Sequence, residues 1–168
     1  IENFTDNLNM GFELRDYQVD AISRAIKNRR QLLVSPTASG KSAIIYCIAR
    51  HFLKIHKKKV LIIVPTTSLV EQMSKDFKEY GYPYPIDKMY GGDKVGNTKI
   101  VISTWQTLSR MPKSFFNDFG AVFGDEAHLF KAKVLTSILE KLKHIGHRWG
   151  LTGTLDDTQT HKLVLEGL

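Results

Sequence analysis

Two hydrophobic periods alternate along the chain. In "DYQVDAISRAIKNRR", Val19, Ile22 and Ile26 recur at helical spacing. "QLLVS" is a short apolar run of the kind that forms a buried strand. A loop from Pro36 to Gly40 follows it, and an apolar helix is expected from about Lys41 to Leu53. "KVLIIVP" is the clearest strand, closed by Pro65, which cannot donate to a ladder. "SLVEQMSKDFKEY" places Leu69, Met73 and Phe77 four apart, the stripe of an amphipathic helix. "GYPYPID" reads as a loop and "GGDKVGN" as turns. "KIVIST" and "AVFGD" are further strands, "KVLTSILEKLKHI" a helix, and "HRWGLTGT" a strand running into a turn. This alternation predicts an α/β fold, a mostly parallel central sheet with helices on both faces. No repeat or long linker divides residues 1–168, so one domain is expected.

Composition agrees with a globular domain able to bury a core: 42% hydrophobic and 24% charged over 168 residues. The longest apolar run, "VLIIVP", is too short to span a bilayer, and no secretory pattern opens the chain. A cytoplasmic setting is the expectation. The one cysteine, Cys47, lies inside "AIIYCIAR" and is expected in the core. Lys and Arg number 24 against 17 Asp and Glu, a net charge of +7. That balance favours a polyanionic partner such as nucleic acid; a basic solvated surface is the blander reading. Lys57-Lys58-Lys59 reads as a solvated turn before a strand.

Ser35 to Ser42 reads "SPTASGKS" and fits the phosphate-loop pattern except at its first position, where Ser35 replaces glycine. A loop between a strand and a helix can aim several backbone N–H groups at one anion. The candidate binding segment is Ser35, Pro36, Thr37, Ala38, Ser39, Gly40, Lys41 and Ser42. Gly40 would let the backbone approach phosphates, Lys41 would reach the β- and γ-phosphates, and the Ser42 hydroxyl would hold Mg²⁺. The alternative is a Ser/Gly-rich turn that happens to precede Lys-Ser.

"VFGDEAH" ends a strand in two carboxylates. Asp125 fits a Mg²⁺-holding role and Glu126 that of a base orienting and deprotonating an attacking water. The alternative is an ordinary acidic helix N-terminus. His128 could sit in the core, lie on the surface, or link the nucleotide site to another segment.

"LRDYQ", "SPTASGKS", "VPTTSLVEQ", "ISTWQTL", "GDEAH" and "LTGT" occur in the order of the motifs of superfamily 2 helicases. The chain resembles that superfamily over nearly its whole length, and its wording is nearest to bacteriophage recombination helicases that remodel branched DNA. The resemblance implies a RecA-like P-loop NTPase domain, the first of two such domains, with ATP and Mg²⁺ as cofactors. A serine at the first loop position is ordinary there. It implies that Gln18 reads adenine, supported by Arg15 or Tyr17. A glutamine amide can pair with adenine N6 and N7; the alternative is that Gln18 belongs to the polar face of an amphipathic helix. Pro65, Thr66 and Thr67 match motif Ia and Thr104, Trp105 and Gln106 match motif Ic; both loops would contact a nucleic-acid backbone. Trp105 could stack on a base or lie in the core. Thr152, Gly153 and Thr154 match motif III, which couples hydrolysis to strand movement. Gly153 and Gly124 depart from the residues usual at their positions; Gly124 would leave room for a neighbour.

The implied function is that of an ATP-dependent DNA helicase motor domain acting on single-stranded and branched DNA in recombination and repair. An RNA helicase and a double-strand translocase are the alternatives. The sequence reads as a fragment without the second RecA-like domain and the N-terminal flank, and hence as a poor ATPase on its own.

Overall fold

A computed structural model of the chain describes residues 16–27, 30–34, 38–90, 96–125, 137–138, 140–142 and 144–152. Six strands are present in it: β1 (Arg30–Val34), β2 (Lys59–Val64), β3 (Ile86–Met89), β4 (Ile100–Thr104), β5 (Phe119–Asp125) and β6 (His147–Thr152). The helices are α1 (Asp16–Lys27), α2 (Ala38–Ile55), α3 (Thr67–Glu79) and the short α4 (Trp105–Ser109), with a 3₁₀ helix at Lys113–Asp118. Residues 137–138 and 140–142 are also helical, inside the stretch read as a helix. The strands form one sheet in the order β1-β6-β5-β2-β4-β3. Every pairing is parallel, as strands joined by helical crossovers require.

The centre of the sheet is covered on both faces, which is why its strands are continuously apolar. Along β2, Val60, Ile62 and Val64 face the core shared with α2 and α3. Leu61 and Ile63 face the opposite core, with Leu108, Phe116, Ile138 and Leu142. Strand β5 changes face part-way. Its register against β2 slips between Lys59 and Val60, so Gly120 is an extra residue and Phe119 turns into the second core. A side chain at Gly120 would meet the Phe52 ring at 2.8 Å and Lys58 Cβ at 2.9 Å, so only glycine fits there.

The sequence expectations need four amendments. Helix α2 starts at Ala38, not Lys41, so Ala38, Ser39 and Gly40 form its first turn instead of a loop. Ile86–Met89, half of it read as loop, is an edge strand. Its four residues carry two charges and no alternating pattern; pairing with β4 makes it a strand. Helix α4 and the 3₁₀ helix are too short to leave a periodic signal. Val19, expected on the buried stripe of α1, is 41% exposed, whereas Ile22 is buried. Cys47 is fully buried, and burial pushes its thiol up to about 12.

Candidate nucleotide site

Parallel register brings the sequence motifs to one edge. Val34 at the end of β1 lies beside Thr152 of β6, Leu151 beside Asp125 of β5, and Val64 of β2 beside Thr104 of β4. The carboxyl ends of parallel strands are where α/β folds place ligands, because the following helices start there with their N–H groups exposed.

The centre of this edge is a pair 84 positions apart in sequence. Lys41 Nζ donates to Asp125 Oδ1 at 3.2 Å, with side chains 12% and 8% exposed. A nearly buried ammonium and a nearly buried carboxylate each need the other, since an uncompensated charge there is costly. Lys41 projects from the second turn of the 18-residue α2, and Asp125 is the last residue of β5. Between their strands lies β6, which ends at Thr152.

Neighbouring groups fix these two. Gln18 is buried, and its Nε2 donates to the carbonyl of Gly40 at 3.4 Å, tying α1 to the first turn of α2. The Ser42 hydroxyl is buried 2.6 Å from the Tyr80 hydroxyl. Tyr80 caps α3 and packs on Tyr46; burial raises its pKa. No pattern in the tyrosine-rich segment pointed to this contact. Trp105 is 1% exposed, and its Nε1 donates to the backbone carbonyl of Asp125 at 3.1 Å. The ring fills the space beside Gly124, where an added Cβ would lie 3.1 Å from it. Gly124 therefore does leave room for a neighbour, and that neighbour is Trp105.

The expected nucleic-acid loops divide into two groups. Thr66 and Thr67 are exposed, Pro65 is half-buried, and Gln106 is exposed. Thr66 Oγ1 also caps α3 by accepting from Leu69 N–H at 3.2 Å. Thr104 and Trp105 do not fit the strand-contacting reading. Thr104 is buried, with its hydroxyl accepting from Thr107 N–H and bonded to the Thr107 hydroxyl as the cap of α4. Trp105 presents no ring face to solvent and holds the Asp125 backbone from below. Ala38, Ser39 and Thr152 are placed by their backbone in the first turn of α2 and at the end of β6. Arg15, Ser35, Pro36, Thr37, Glu126, His128, Gly153 and Thr154 lie outside the described residues.

These residues suit a magnesium-bound nucleoside triphosphate. An ammonium, a hydroxyl and one carboxylate stand beside the N-terminus of a long helix, where phosphate is favoured. Among the described residues no three His, Cys, Asp or Glu side chains cluster to hold a metal by themselves. Mg²⁺ needs no such cage, because it keeps waters and takes phosphate oxygens as ligands. A hydroxyl can donate to Tyr80 and still offer its oxygen to a cation, so Ser42 and Asp125 are the residues that could hold it.

Comparison with known proteins gives the same picture. The family model for the Type III restriction enzyme, res subunit, matches residues 11–157. The chain is 38% identical over 159 residues to the ATP-dependent DNA helicase uvsW of Enterobacteria phage T4, covering 90% of this chain and 32% of that protein. It is 30% identical over 152 residues to the DNA 3'-5' translocase XPB2 of Sulfurisphaera tokodaii, covering 90% of this chain and 33% of that protein. The crystal structure of the UvsW helicase from bacteriophage T4 superposes with a TM-score of 0.81 at 36% identity, over 91% of this chain and 57% of that one. The chain thus spans about a third of the length of these curated relatives. Its parallel sheet is that of the RecA-like helicase domains of superfamily 2, and the chain belongs to the Type III restriction enzyme, res subunit, family.

Proposed function

We propose that the chain is the ATP-hydrolysing domain of a DNA helicase motor. The observation that carries this reading is the Lys41–Asp125 pair, a phosphate-loop lysine and a strand-end carboxylate 3.2 Å apart at the carboxyl edge of the sheet. ATP with Mg²⁺ supplies the phosphoanhydride whose cleavage drives the cycle. Lys41 exchanges Asp125 for phosphate oxygens and neutralises their charge. Asp125, released from Lys41, would then hold the metal together with the Ser42 hydroxyl, which stays oriented by Tyr80. Glu126, next in sequence, takes the proton of the attacking water, and Gln18 recognises the base, supported by Arg15 or Tyr17. His128 and the segment Thr152-Gly153-Thr154 relay the nucleotide state to the strand. Thr66, Thr67 and Gln106 present polar groups on the same edge for phosphates of a DNA backbone. Identity to a DNA helicase and a DNA translocase supports DNA as the partner.

The cycle needs a second RecA-like domain across this edge to complete the cleft and supply cations to the transition state. The proposed substrate is branched DNA, in recombination and repair, and the proposed setting the host cytoplasm, as the motif resemblance implies; similarity to a phage DNA helicase supports DNA. The second reading is movement on duplex DNA without strand separation; similarity to a DNA translocase supports movement along DNA.

The test is steady-state ATP hydrolysis without nucleic acid and with single-stranded, forked, four-way or duplex DNA, or RNA. Stimulation by forked and four-way DNA, lost in Lys41→Ala, is expected. Stimulation by duplex alone, with no strand displacement, selects the translocase. Stimulation by RNA alone rejects the DNA assignment, and hydrolysis that survives Lys41→Ala rejects the site.

A further inference from the structure

A cleft of about 670 Å³ opens at the amino edge of the sheet, the end opposite the nucleotide site. Helix α2 connects the two ends: it starts with Ala38 at the nucleotide site, and Lys54 in its last turn lines the cleft, about 24 Å away at 1.5 Å per residue. Arg50, His51 and Lys54 come from α2, Lys57 from the turn after it, and Lys99 from the segment before β4. Among the described residues no carboxylate lines this cleft itself; Asp87 stands behind it, accepting from the hydroxyl of the lining residue Thr98 at 2.7 Å. None of Lys54, Lys57 and Lys99 is paired to a carboxylate among the described residues. Lys54 alone would be ordinary, since a cation suits a helix C-terminus. Lys57 and Lys99 come from other segments and converge without that reason. Tyr84, 58% exposed, adds an aromatic face to the same wall. The cleft continues past Asn97 into a second depression of about 430 Å³, lined among others by Lys59, Phe115 and one carboxylate, Asp118.

Unpaired cations tracking a groove, with an exposed aromatic face beside them, are how proteins hold single strands without reading sequence. A groove that runs through two depressions suits a strand better than a mononucleotide. We propose that this amino-edge cleft is a second binding site for single-stranded nucleic acid, separate from the motif loops at the carboxyl edge. Lys57 and Lys59, from the run read in sequence as a solvated turn, contribute to its wall, one in each depression. Lys54, Lys57 and Lys99 take phosphates, and Tyr84 stacks on a base.

The test is binding of a fluorescent oligothymidylate of about 15 nucleotides by anisotropy across a salt series, with a 4-thiothymidine strand for photocrosslinking. Neither measurement requires ATP, so the site is read whether or not the chain hydrolyses it. In K54E/K99E, binding at ~0.1 M salt should weaken about tenfold, and the slope of log affinity against log salt should shrink by about 1.4. Tyr84→Ala should weaken binding about fivefold, and crosslinks should map to the Tyr82–Pro85 peptide. Hydrolysis without DNA should be unchanged in both variants. Unchanged binding, or crosslinks confined to the peptides holding Thr66 and Gln106, overturns the proposal. So does loss in K54E/K99E with no effect of Tyr84→Ala, which would mark a surface attracting any polyanion.

Discussion

Trp105 Nε1 donates to the carbonyl oxygen of Asp125 at 3.1 Å, so the first residue of α4 holds the last residue of β5. The carboxylate that pairs with Lys41 is thus positioned by a buried indole from the adjoining motif. Replacing Trp105 with Phe keeps most of the apolar volume and removes the donor, leaving a buried carbonyl short of a partner. A loss of about 1–3 kcal/mol in a denaturant melt is expected. A higher Mg²⁺ requirement for ATP hydrolysis should accompany it, since Asp125 is then less firmly placed. A melt shift with an unaltered Mg²⁺ titration would leave Trp105 a packing residue only.

Gly124 meets the same ring from the other side. A Cβ there would lie 3.1 Å from two atoms of the indole, so Gly124→Ala forces the ring or the strand to shift. Overpacking of this kind costs about 1–3 kcal/mol. The two atoms belong to the six-membered part of the indole, which extends beyond a phenyl ring in its place. Gly124→Ala should therefore be less damaging in a Trp105→Phe background than in the parent. A double-mutant cycle in chemical denaturation measures the coupling, and additive losses would contradict this geometry.

Tyr80 holds the Ser42 hydroxyl from the opposite core. Tyr80→Phe removes one hydroxyl from a buried pair and should cost about 1 kcal/mol in stability. Released from that contact, Ser42 loses its fixed rotamer, and KM for Mg-ATP should rise by a fewfold with kcat less affected. An unchanged KM would show that Ser42 is oriented by its other neighbours.

Cys47 supplies a pH-dependent test. Its thiol is pushed up from 9.0 to about 12 in the folded chain, by burial. The folded state therefore holds the proton more tightly than the unfolded one. The associated stability is complete below pH 9 and is lost progressively as the pH rises to 12. Tyr82, also raised to about 12 by burial, acts in the same direction from 10.0 upward. Unfolding midpoints should fall over this range, less steeply in Cys47→Ala. Thiol reagents should modify Cys47 only as fast as the fold opens. Rapid stoichiometric labelling at pH 8 would contradict its burial.

Strands β2, β4 and β5 were legible in the sequence because a strand buried on both faces must be apolar throughout. Helices α1, α2 and α3 were legible because each carries a stripe or run of apolar residues long enough to show its period. Edge strand β3 was not, because its stability comes from ladder bonds to β4 and not from its own four residues. Lys41 and Asp125 were nameable as chemistry, since strand-loop-helix and strand-end carboxylate are local patterns.

That these two meet is a different kind of fact. It depends on β6 slotting between β1 and β5, which no local pattern encodes. The same holds for Trp105, whose sequence neighbours suit an exposed loop and a buried one equally. Its burial is decided by the space beside Gly124. The convergence of Lys57 and Lys99 on one cleft likewise arises only when the turn after α2 and the segment before β4 are brought together. Sequence by itself determined the elements and the chemical groups, because hydrophobic period and motif spacing are local. The sheet order decided which groups touch, because contacts between distant segments follow from packing the whole core.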